Sequence, residues 1–365
     1  MSKVKIVAPG LLTTIQDAGR YRYQQSGMSV SGVMDSFSHR TANILVGNSQ
    51  DEAVLEATLT GPTLEFLGDS AVAVTGAVAA VMLNGRPTAM WQSLPVKQGD
   101  VLSFGPITGG ARLYIAFAGG IDVPVVMGSK STYIKARVGG LEGRALKAGD
   151  VLALNPLGIK VESIASKAAH PRFIPEYSSK ITLRVVLGPQ DDYFTSEGIE
   201  TFLNTPYTVT NECDRMGYRL EGEAIAHKDG GDIISDGIVM GAVQVPGNGK
   251  PIILMADRQT TGGYTKIATV ISADLPLVSQ ARPGNTLHFQ AVSVEEAQEI
   301  LFRQEGLMKQ FQEELQPVPA RQADADLAAN PPQVQAGCGT TVREVRQYRI
   351  SVDGNVYDVR LEVLE

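Results

Sequence analysis

The sequence predicts a mainly β protein with two related β domains, a few helices and a C-terminal β-hairpin. Its 365 residues are enough for two or more domains, and 38 glycines and 19 prolines favour many short strands over long helices. Short runs of β-branched and aromatic residues, each bounded by Gly, Pro, Asn or Asp, recur along the chain. A turn pattern followed by an alternating strand appears three times, which predicts a repeated β unit.

The repeated pattern places Gly-Asp or Gly-Asn before a strand, at residues 97–104, 147–154 and 282–289. Because these dipeptides are typical of tight turns, we interpret each copy as a structural turn that closes one side of a barrel or sandwich. The third copy predicts that the second half of the chain ends as the first half does.

Eight short strands are predicted from composition. They lie at residues 63–66, 72–75, 101–104, 112–117, 151–154, 182–187, 252–255 and 286–289. The apolar stretch 71–83 is too short to span a bilayer, and we interpret it as a buried strand pair.

Helical periodicity is limited to two segments. Residues 35–46 end before Gly47-Asn48, a helix stop signal. Residues 293–315 begin with Ser293 and carry Glu296 three positions later, which is a capping-box pattern. The final segment alternates around Asp353-Gly354 and predicts a hairpin.

The domain boundaries follow from composition, since residues 155–180 lack periodicity and residues 316–342 are rich in Pro, Ala and Gln. We expect a first β-barrel domain at 1–155, a connecting segment at 156–180, a second β-barrel domain with a terminal helix at 181–315, a linker at 316–342 and a hairpin at 343–365.

Composition excludes several classes of function. A net charge of −7 and a pI near 5.3 argue against nucleic acid as a partner. Cys213 and Cys338 lie far apart and the four histidines are scattered, so neither a disulfide framework nor a metal site is expected. No signal peptide or membrane span is evident, so a cytoplasmic protein without a membrane partner is expected.

Several nucleotide and hydrolase motifs are absent. Gly128-Ser-Lys-Ser-Thr132 resembles only the end of a P-loop, and no G-x-S-x-G elbow or dinucleotide fingerprint occurs. Any ATP or acyl chemistry must therefore use an unfamiliar site, which we expect to be shared with another chain.

Polar residues concentrate in four turn-rich segments, at 13–23, 30–35, 211–218 and 255–266. The predicted catalytic residues are Asp214, Arg215, Tyr218, Asp257, Arg258, Gln259, Thr260 and Tyr264. The predicted substrate-binding residues are Gln16, Asp17, Arg20, Asp35, Gln244, Gly262 and Gly263.

The expected roles follow from side-chain chemistry. Arg215 and Arg258 would hold an anionic or developing negative oxygen with their planar donor forks. Asp214 or Asp257 would orient an arginine or accept a proton, and the two glycines would keep the backbone close to the ligand. The structural alternative is that the Asp-Arg pairs fix loops by local salt bridges. For one segment alone this alternative is favoured, and it becomes less favoured because four such segments occur in one chain, two of them with the same Asp-Arg pairing.

The chain resembles a known family in a series of motifs. These motifs lie at 9–20, 27–35, 42–48, 118–122, 128–133, 139–144, 214–218, 244–246 and 256–264. They resemble the allophanate hydrolase subunit 2 family, also called the biotin-dependent carboxyltransferase family, over roughly residues 3–300. The family includes the C-subunit of 5-oxoprolinase, the Kip antagonist protein and part of the urea carboxylase carboxyltransferase domain. One departure is Arg22, where the family usually has glycine, so the local turn is expected to differ.

The resemblance implies two cyclophilin-like β-barrel domains and a partner, a subunit 1 homologue (similar to allophanate hydrolase subunit 1 or to the B-subunit of 5-oxoprolinase). Its first functional implication is ATP-dependent opening of 5-oxo-L-proline to L-glutamate. In that case the ATP site would be shared with a partner subunit, and a LamB/YcsF-type subunit would belong to the complex. A second is carboxyl transfer from carboxybiotin, supplied in trans by a biotin carboxylase and carrier, to a urea-like amide. A third is a non-catalytic regulatory subunit like the Kip antagonist. The sequence leaves all three open.

The C-terminal hairpin resembles the first strands of a biotin carboxyl carrier domain. Such a domain needs a lysine in an Ala/Val-Met-Lys-Met hairpin, and the chain has only Met308-Lys309, on the predicted helix. The chain is therefore not expected to carry biotin itself. The hairpin is either a remnant or an element that pairs with strands of another chain.

Overall fold

A computed structural model of the protein describes residues 2–156, 167–317, 342–352 and 355–364. Residues 157–166 of the predicted connecting segment and residues 318–341 of the predicted linker, including Cys338, lie outside the described residues. The chain divides into two compact units, Met1–Val318 and Pro319–Glu365. The further division of the first unit at residues 156–180 stays a prediction.

The first half of the chain forms a curled nine-stranded sheet. Its strands are β1 (Lys3–Ala8), β2 (Leu12–Gln16), β3 (Val54–Thr58), β4 (Thr63–Phe66), β5 (Ser70–Leu83), β6 (Arg86–Thr88), β7 (Ser93–Val96), β8 (Val101–Phe117) and β9 (Val151–Ala153). The order is β2-β3-β8-β4-β1-β9, and β5 pairs with β6, β7 and β8. The long β8 is thus the central strand, since it pairs with β3, β4 and β5.

The apolar stretch 71–83 forms one strand, so the predicted strand pair is wrong. β5 runs through all of it and pairs with β8 in a register that shifts after Gly76, Val78 and Ala79. Gly76 has φ +87°, and a Cβ there would lie 2.4 Å from the Arg112 carbonyl oxygen. The glycine therefore marks bulges that bend the strand and does not mark a turn.

The second half forms an eight-stranded sheet. Its strands are β11 (Lys180–Leu187), β12 (Tyr207–Cys213), β13 (Gly217–Glu221), β14 (Asp232–Gly237), β15 (Ala242–Val245), β16 (Ile252–Leu254), β17 (Thr261–Val270) and β18 (Thr286–Ala291). Two short strands, β10 (Lys167–Ala168) and β19 (Gln316–Pro317), form a separate antiparallel pair. The order is β11-β18-β12-β13-β16-β15-β17-β14. Because β11 also pairs with β17, every strand except β14 belongs to a closed ring. The mainly β fold class is confirmed.

Each sheet encloses its own apolar core. The first core includes Val4, Ile15, Leu55, Leu113 and Phe117, all fully buried. The second includes Leu183, Tyr207, Val243, Ile253 and Ile267, again fully buried. Buried and partly exposed residues alternate along β4 and β13, as expected for strands with one face on a core, whereas β3, β15 and long parts of β5 and β8 are buried on both faces.

The described residues include four α-helices. They are α1 (Ser36–Leu45), α2 (Ser196–Asn204), α3 (Leu275–Gln280) and α4 (Val294–Glu313). The predictions for α1 and α4 are confirmed, including the Ser293–Glu296 capping box. The two short helices α2 and α3 were not predicted, because six to nine residues give too little periodicity to recognise. No helix of the described residues is long and apolar enough to cross a bilayer.

The three repeated turns have the same hydrogen bond, so their structural interpretation is confirmed. In each, a carboxylate or amide oxygen accepts from the backbone N–H three residues earlier: Lys97 to Asp100 at 2.7 Å, Lys147 to Asp150 at 2.8 Å and Arg282 to Asn285 at 2.9 Å. The glycine between them has φ of +86° to +91° in all three, which a type II turn requires. This shared geometry explains why the pattern repeats in the sequence.

Two further predictions concern local backbone. Arg22, the position where the resembling family has glycine, has φ +75°, a left-handed conformation that costs a non-glycine residue free energy. In the second unit, β20 (Val342–Val352) and β21 (Asn355–Leu364) pair antiparallel with Val352 opposite Asn355. The predicted pairing of the two strands is confirmed, its first strand begins one residue before the predicted segment, and the predicted turn Asp353-Gly354 lies outside the described residues.

Candidate functional site

Three of the predicted catalytic residues, Arg215, Tyr218 and Asp257, lie in a buried polar network that joins the two halves of the first unit. Arg215 follows β12, and its Nε and Nη2 donate to both carboxylate oxygens of Asp257 at 3.0 Å. Its Nη1 donates to Glu56 on β3, and its Nη2 donates to the carbonyl oxygen of Gly32 at 2.6 Å. Arg215 is only 6% exposed, so this fork binds protein groups on every side and is closed to a ligand.

A second arginine completes the network from the first half. Arg112 on β8 is 3% exposed, and its Nη1 donates to the Tyr218 hydroxyl oxygen at 2.5 Å and to the Ser279 carbonyl oxygen. Its Nε lies 4.0 Å from Glu56. We call Glu56, Arg112, Arg215, Tyr218 and Asp257 the brace, because its members come from both halves.

Asp35 extends the brace at the start of α1. Its carboxylate caps the helix by accepting from the Ser38 backbone N–H at 2.9 Å, and it also accepts from Gln280 Nε2 at 2.8 Å. Gln280 Oε1 in turn accepts from the Ala111 and Arg112 backbone N–H groups at 2.8 and 2.9 Å. Asp35 is 1% exposed, so the structure uses it as a cap between the halves.

The charges of the brace are set by burial and by the partners. Burial acts to lower the pKa of Arg215, but the charges of Asp257 and Glu56 outweigh it and raise that pKa. Burial raises the pKa of the Asp35 carboxyl, against the hydrogen bonds from Gln280 and Ser38. Burial also raises the pKa of the Tyr218 hydroxyl. The arginine therefore stays charged and the tyrosine stays neutral near neutral pH, so neither is suited to exchange protons with a substrate.

The predicted residues Gln16, Asp17 and Arg20 hold a loop in the first half. Asp17 accepts from Ser129 Oγ at 2.6 Å, Ser131 Oγ at 2.5 Å and the Lys130 backbone N–H at 2.5 Å. Three donors of the segment that resembles the end of a P-loop, at residues 129–131, thus form hydrogen bonds to the Asp17 carboxylate.

The other two side chains of this group are fully buried. Arg20 donates to the carbonyl oxygens of Val126 and Ser131 at 3.0 and 2.8 Å, and burial lowers its pKa. Gln16 Nε2 donates to the Thr132 carbonyl oxygen at 3.0 Å. Both are 0% exposed, so they stabilise the loop.

Arg258 and Thr260 lie beside the brace on the loop after β16. Arg258 is 9% exposed, and it donates to the carbonyl oxygens of Ile238 and Met255 at 3.2 Å. Burial lowers its pKa, and no carboxylate of the described residues lies within salt-bridge distance. The Thr260 carbonyl oxygen accepts from the Ile238 N–H at 3.0 Å.

Four of the predicted residues line one pocket on the outer face of the closed ring. The pocket has a volume of about 480 Å³, and its lining residues are Asn211, Glu212, Cys213, Asp214, Met216, Gly217, Arg219, Gln244, Ile252, Leu254, Gln259 and Tyr264. Gln244 faces it because its neighbours Val243 and Val245 face the core, and strand side chains alternate. We call this cavity the outer-face pocket. Asp214, Gln244, Gln259 and Tyr264 are the predicted residues that meet there.

The polar lining of the outer-face pocket is arranged around a glycine. A Cβ at Gly262 would lie 2.9 Å from Gln244 Nε2 and 3.6 Å from Gln259 Nε2, so both side-chain amides approach its bare Cα. A Cβ at Gly263 would lie 3.3 Å from the Ile233 carbonyl oxygen. Asp214 is exposed, and its Oδ1 accepts from the Met216 and Gly217 N–H groups at 2.7 and 3.1 Å. One oxygen of this carboxylate thus shapes the turn between β12 and β13.

Sequence reasoning missed several residues that the structure brings together. Glu56 and Arg112 stand within apolar strands, VLEAT and ARLYIAF, and a lone charge in such a run was the available signal. Lys135 comes from the first half, and its Nζ lies 2.6 Å from Met216 Sδ at the pocket edge. No local pattern connects Lys135 to a strand pair that follows it by more than 70 residues in sequence.

The outer-face pocket can form hydrogen bonds to a small polar ligand. Gln244, Gln259 and Tyr264 offer amide and hydroxyl groups, while Ile252 and Leu254 offer apolar surface. Among the residues that the structure describes, no group of three His, Cys, Asp or Glu side chains is placed to hold a metal ion.

Comparison with known proteins finds one matching family and several similar relatives. Residues 26–291 match the family described as carboxyltransferase domain, subdomain A and B. The C-subunit of 5-oxoprolinase from Escherichia coli (strain K12) is 41% identical over 295 residues, which cover 80% of this chain and 93% of that protein. The corresponding Haemophilus influenzae protein is 36% identical over 298 residues, 82% of this chain and 94% of that protein.

One solved structure has a similar fold over most of this chain. The crystal structure of the K. lactis urea amidolyase matches with a TM-score of 0.80 and 34% sequence identity. The match covers 85% of this chain but 20% of that chain, so this protein spans about a fifth of the length of the urea amidolyase.

Proposed function

The chain belongs to the carboxyltransferase family with subdomains A and B, and from that premise we propose that it is a subunit of an ATP-dependent 5-oxoprolinase. With partner subunits it would open 5-oxo-L-proline to L-glutamate. The observation that carries this proposal is the 41% identity to a 5-oxoprolinase C-subunit over 93% of that protein's length. The word subunit in that relative's name supports a complex with other chains.

The contribution of this chain would be to bind the substrate in the outer-face pocket. Ring opening of a lactam requires that the amide be held and oriented, and Gln244, Gln259 and Tyr264 supply the groups for that task. The pocket residues Asp214 and Tyr264 are both exposed, so they are available to a substrate or to water. The brace would act at a distance by holding the turn after β12 that forms the pocket edge.

ATP does not fit the outer-face pocket. Its charged lining residues are Glu212, Asp214 and Arg219, and Arg219 Nε is paired with Glu212 at 3.0 Å. A triphosphate would therefore meet two acidic groups and no unpaired cation of the lining. We assign ATP binding to a partner subunit, such as a subunit 1 homologue or a LamB/YcsF-type subunit.

The test is reconstitution with cognate partner subunits. We expect release of ADP and formation of glutamate that require 5-oxoproline, ATP and this chain together. The control is the same mixture without this chain. An assembled complex that releases no ADP in response to 5-oxoproline would refute the proposal.

Carboxyl transfer is the second candidate, and the structural match to urea amidolyase favours it. That match covers 85% of this chain at a TM-score of 0.80. In this alternative, carboxybiotin is supplied in trans by a biotin carboxylase and its carrier, and the pocket holds a urea-like amide. Decarboxylation of carboxybiotin that depends on urea would support it. The Kip antagonist-like regulatory role stays a prediction, with no observation in its favour.

A further inference from the structure

Gln244 is a buried amide with an unused hydrogen-bond donor. It lies on β15 between Ile252 of β16 and Lys266 of β17, and it is 2% exposed. Its Nε2 is enclosed and has no acceptor among the residues that the structure describes. Leaving such a buried donor unpaired costs free energy of folding, so a structural role alone does not explain the residue. The same side chain lines the outer-face pocket.

The surroundings of Gln244 point to a ligand oxygen rather than to a protein partner. Lys266, its neighbour on β17, has its Nζ 3.0 Å from Asp236 Oδ2 and is thereby neutralised. A Cβ at Gly262 would lie 2.6 Å from Ile238 Cδ1, 2.9 Å from Gln244 Nε2 and 3.6 Å from Gln259 Nε2, so the absence of a side chain at Gly262 lets both amides come close to its backbone. Two neutral N–H donors thus converge beside a glycine, which is suited to an uncharged carbonyl oxygen.

The rest of the pocket sets the shape and charge of that ligand. Ile252 is half-buried and Leu254 is buried, and they border the same cavity, which suits the apolar edge of a small ring. Lys135 is exposed at the pocket edge, and no carboxylate of the described residues pairs with it. Glu212 and Asp214 also line the pocket and disfavour an anion inside it, so a ligand carboxylate fits only at the edge beside Lys135, with an amide end inside.

We propose that the outer-face pocket recognises a small planar amide whose carbonyl oxygen accepts hydrogen bonds from Gln244 and Gln259. Lys135 pairs with the carboxylate of a ligand that has one. The inference rests on the proposed function and deepens it, because it names the groups that select the substrate. A site built to pair a buried amide rejects analogues that lack the matching oxygen, since the donor is then left unpaired.

The test compares Gln244→Leu with a matched control, Gln298→Leu, in the complex with its partner subunits. Gln298 is exposed on α4, outside this pocket. We expect Gln244→Leu to raise the Kd for 5-oxoproline, measured by calorimetry without ATP, about tenfold or more, since one such bond contributes about 1.4 kcal/mol. The control should stay within about twofold. Lys135→Met should weaken binding of 5-oxoproline but leave binding of 2-pyrrolidinone, the same lactam without a carboxylate, unchanged.

A stability measurement separates ligand recognition from a structural role. Because Gln244→Leu removes an unpaired donor, its melting temperature should equal or exceed that of the wild type, whereas loss of a structural hydrogen bond would lower it. Unchanged affinity of Gln244→Leu for 5-oxoproline would overturn the inference. If the wild-type complex shows no 5-oxoproline-dependent ADP release, the proposed function fails by itself. The inference still stands if urea or free biotin binds with the same dependence on Gln244, and it fails if none of the three amides binds.

Discussion

We expect Glu56→Gln to lower the free energy of unfolding by about 3–5 kcal/mol, the range for breaking a buried ion pair. The Glu56 carboxylate is 1% exposed. It accepts from the Met34 N–H at 2.8 Å and from the Tyr114 hydroxyl at 2.9 Å, and it pairs with Arg215. A glutamine side chain would lack the negative charge that balances Arg215. Its amide N–H₂ group would also point at one of the three donors, the Met34 N–H, the Tyr114 hydroxyl or the Arg215 guanidinium, and could not accept a hydrogen bond from it.

The expected loss is a large share of the total, because whole-protein stabilities are commonly about 5–15 kcal/mol. Urea unfolding of the full chain measures it, followed by fluorescence of Trp91 and by far-ultraviolet circular dichroism. Trp91 is the single tryptophan and is 4% exposed, so it reports on the first half. Circular dichroism reports on both sheets.

The matched control is Glu65→Gln on β4. Glu65 pairs with Lys5 at 3.1 Å, but the two side chains are 34% and 43% exposed. Exposed ion pairs contribute about 0–1 kcal/mol, so Glu65→Gln should change the free energy of unfolding by about 1 kcal/mol at most. Equal losses in the two variants, or a loss below about 1 kcal/mol for Glu56→Gln, would show that the brace does not stabilise the fold as argued.

Three further predictions address the backbone, pH and the tail. Arg22→Gly should raise the free energy of unfolding by about 1 kcal/mol in urea, because glycine adopts φ +75° without strain; a loss would show that the side chain contributes more than the strain costs. The hydrogen bonds from Arg144 keep the pKa of Asp150 below its usual value, so the stability difference between the wild type and Arg144→Met should be full above pH about 4. It should shrink as pH falls through the lowered pKa, and a difference that grows in acid would contradict the assignment. Deleting residues 319–365, the whole second unit, should leave the first unit folded with an unchanged melting temperature; a large drop would show that the tail docks on the body.

Local signals in the sequence predicted much of the fold. The two long helices, nine of the 21 strands in the described residues and the three repeated turns follow from caps, alternation and Gly-Asp or Gly-Asn pairs, all of which act within a few residues. The error at β5 has the same origin, since Gly76 within an apolar run indicates either a turn or a bulge. Only the partner strand β8 distinguishes these two outcomes, and it lies far along the chain.

The candidate site was harder to predict, because its contacts are long-range. The sequence shows Asp214-Arg215 and Asp257-Arg258 as neighbouring pairs, but the structure pairs Arg215 with Asp257. Asp214 instead caps its own turn, and Arg258 bonds to carbonyl oxygens. Side-chain type indicated which residues are important to the structure, but whether each one faces a core, a partner or a cavity depends on strand pairing.

The brace also limits how such a gene can recombine. A crossover between residues 156 and 180 would look harmless, because it falls outside the main strands of both sheets. It would nevertheless separate Glu56 and Arg112 from Arg215 and Asp257, which balance one another's charge inside the protein. A chimera of two relatives would keep its halves together only if both parents carry the same charges at these positions. The same constraint applies to any crossover between Arg112 and Arg215, and the segment between the sheets is included in that range.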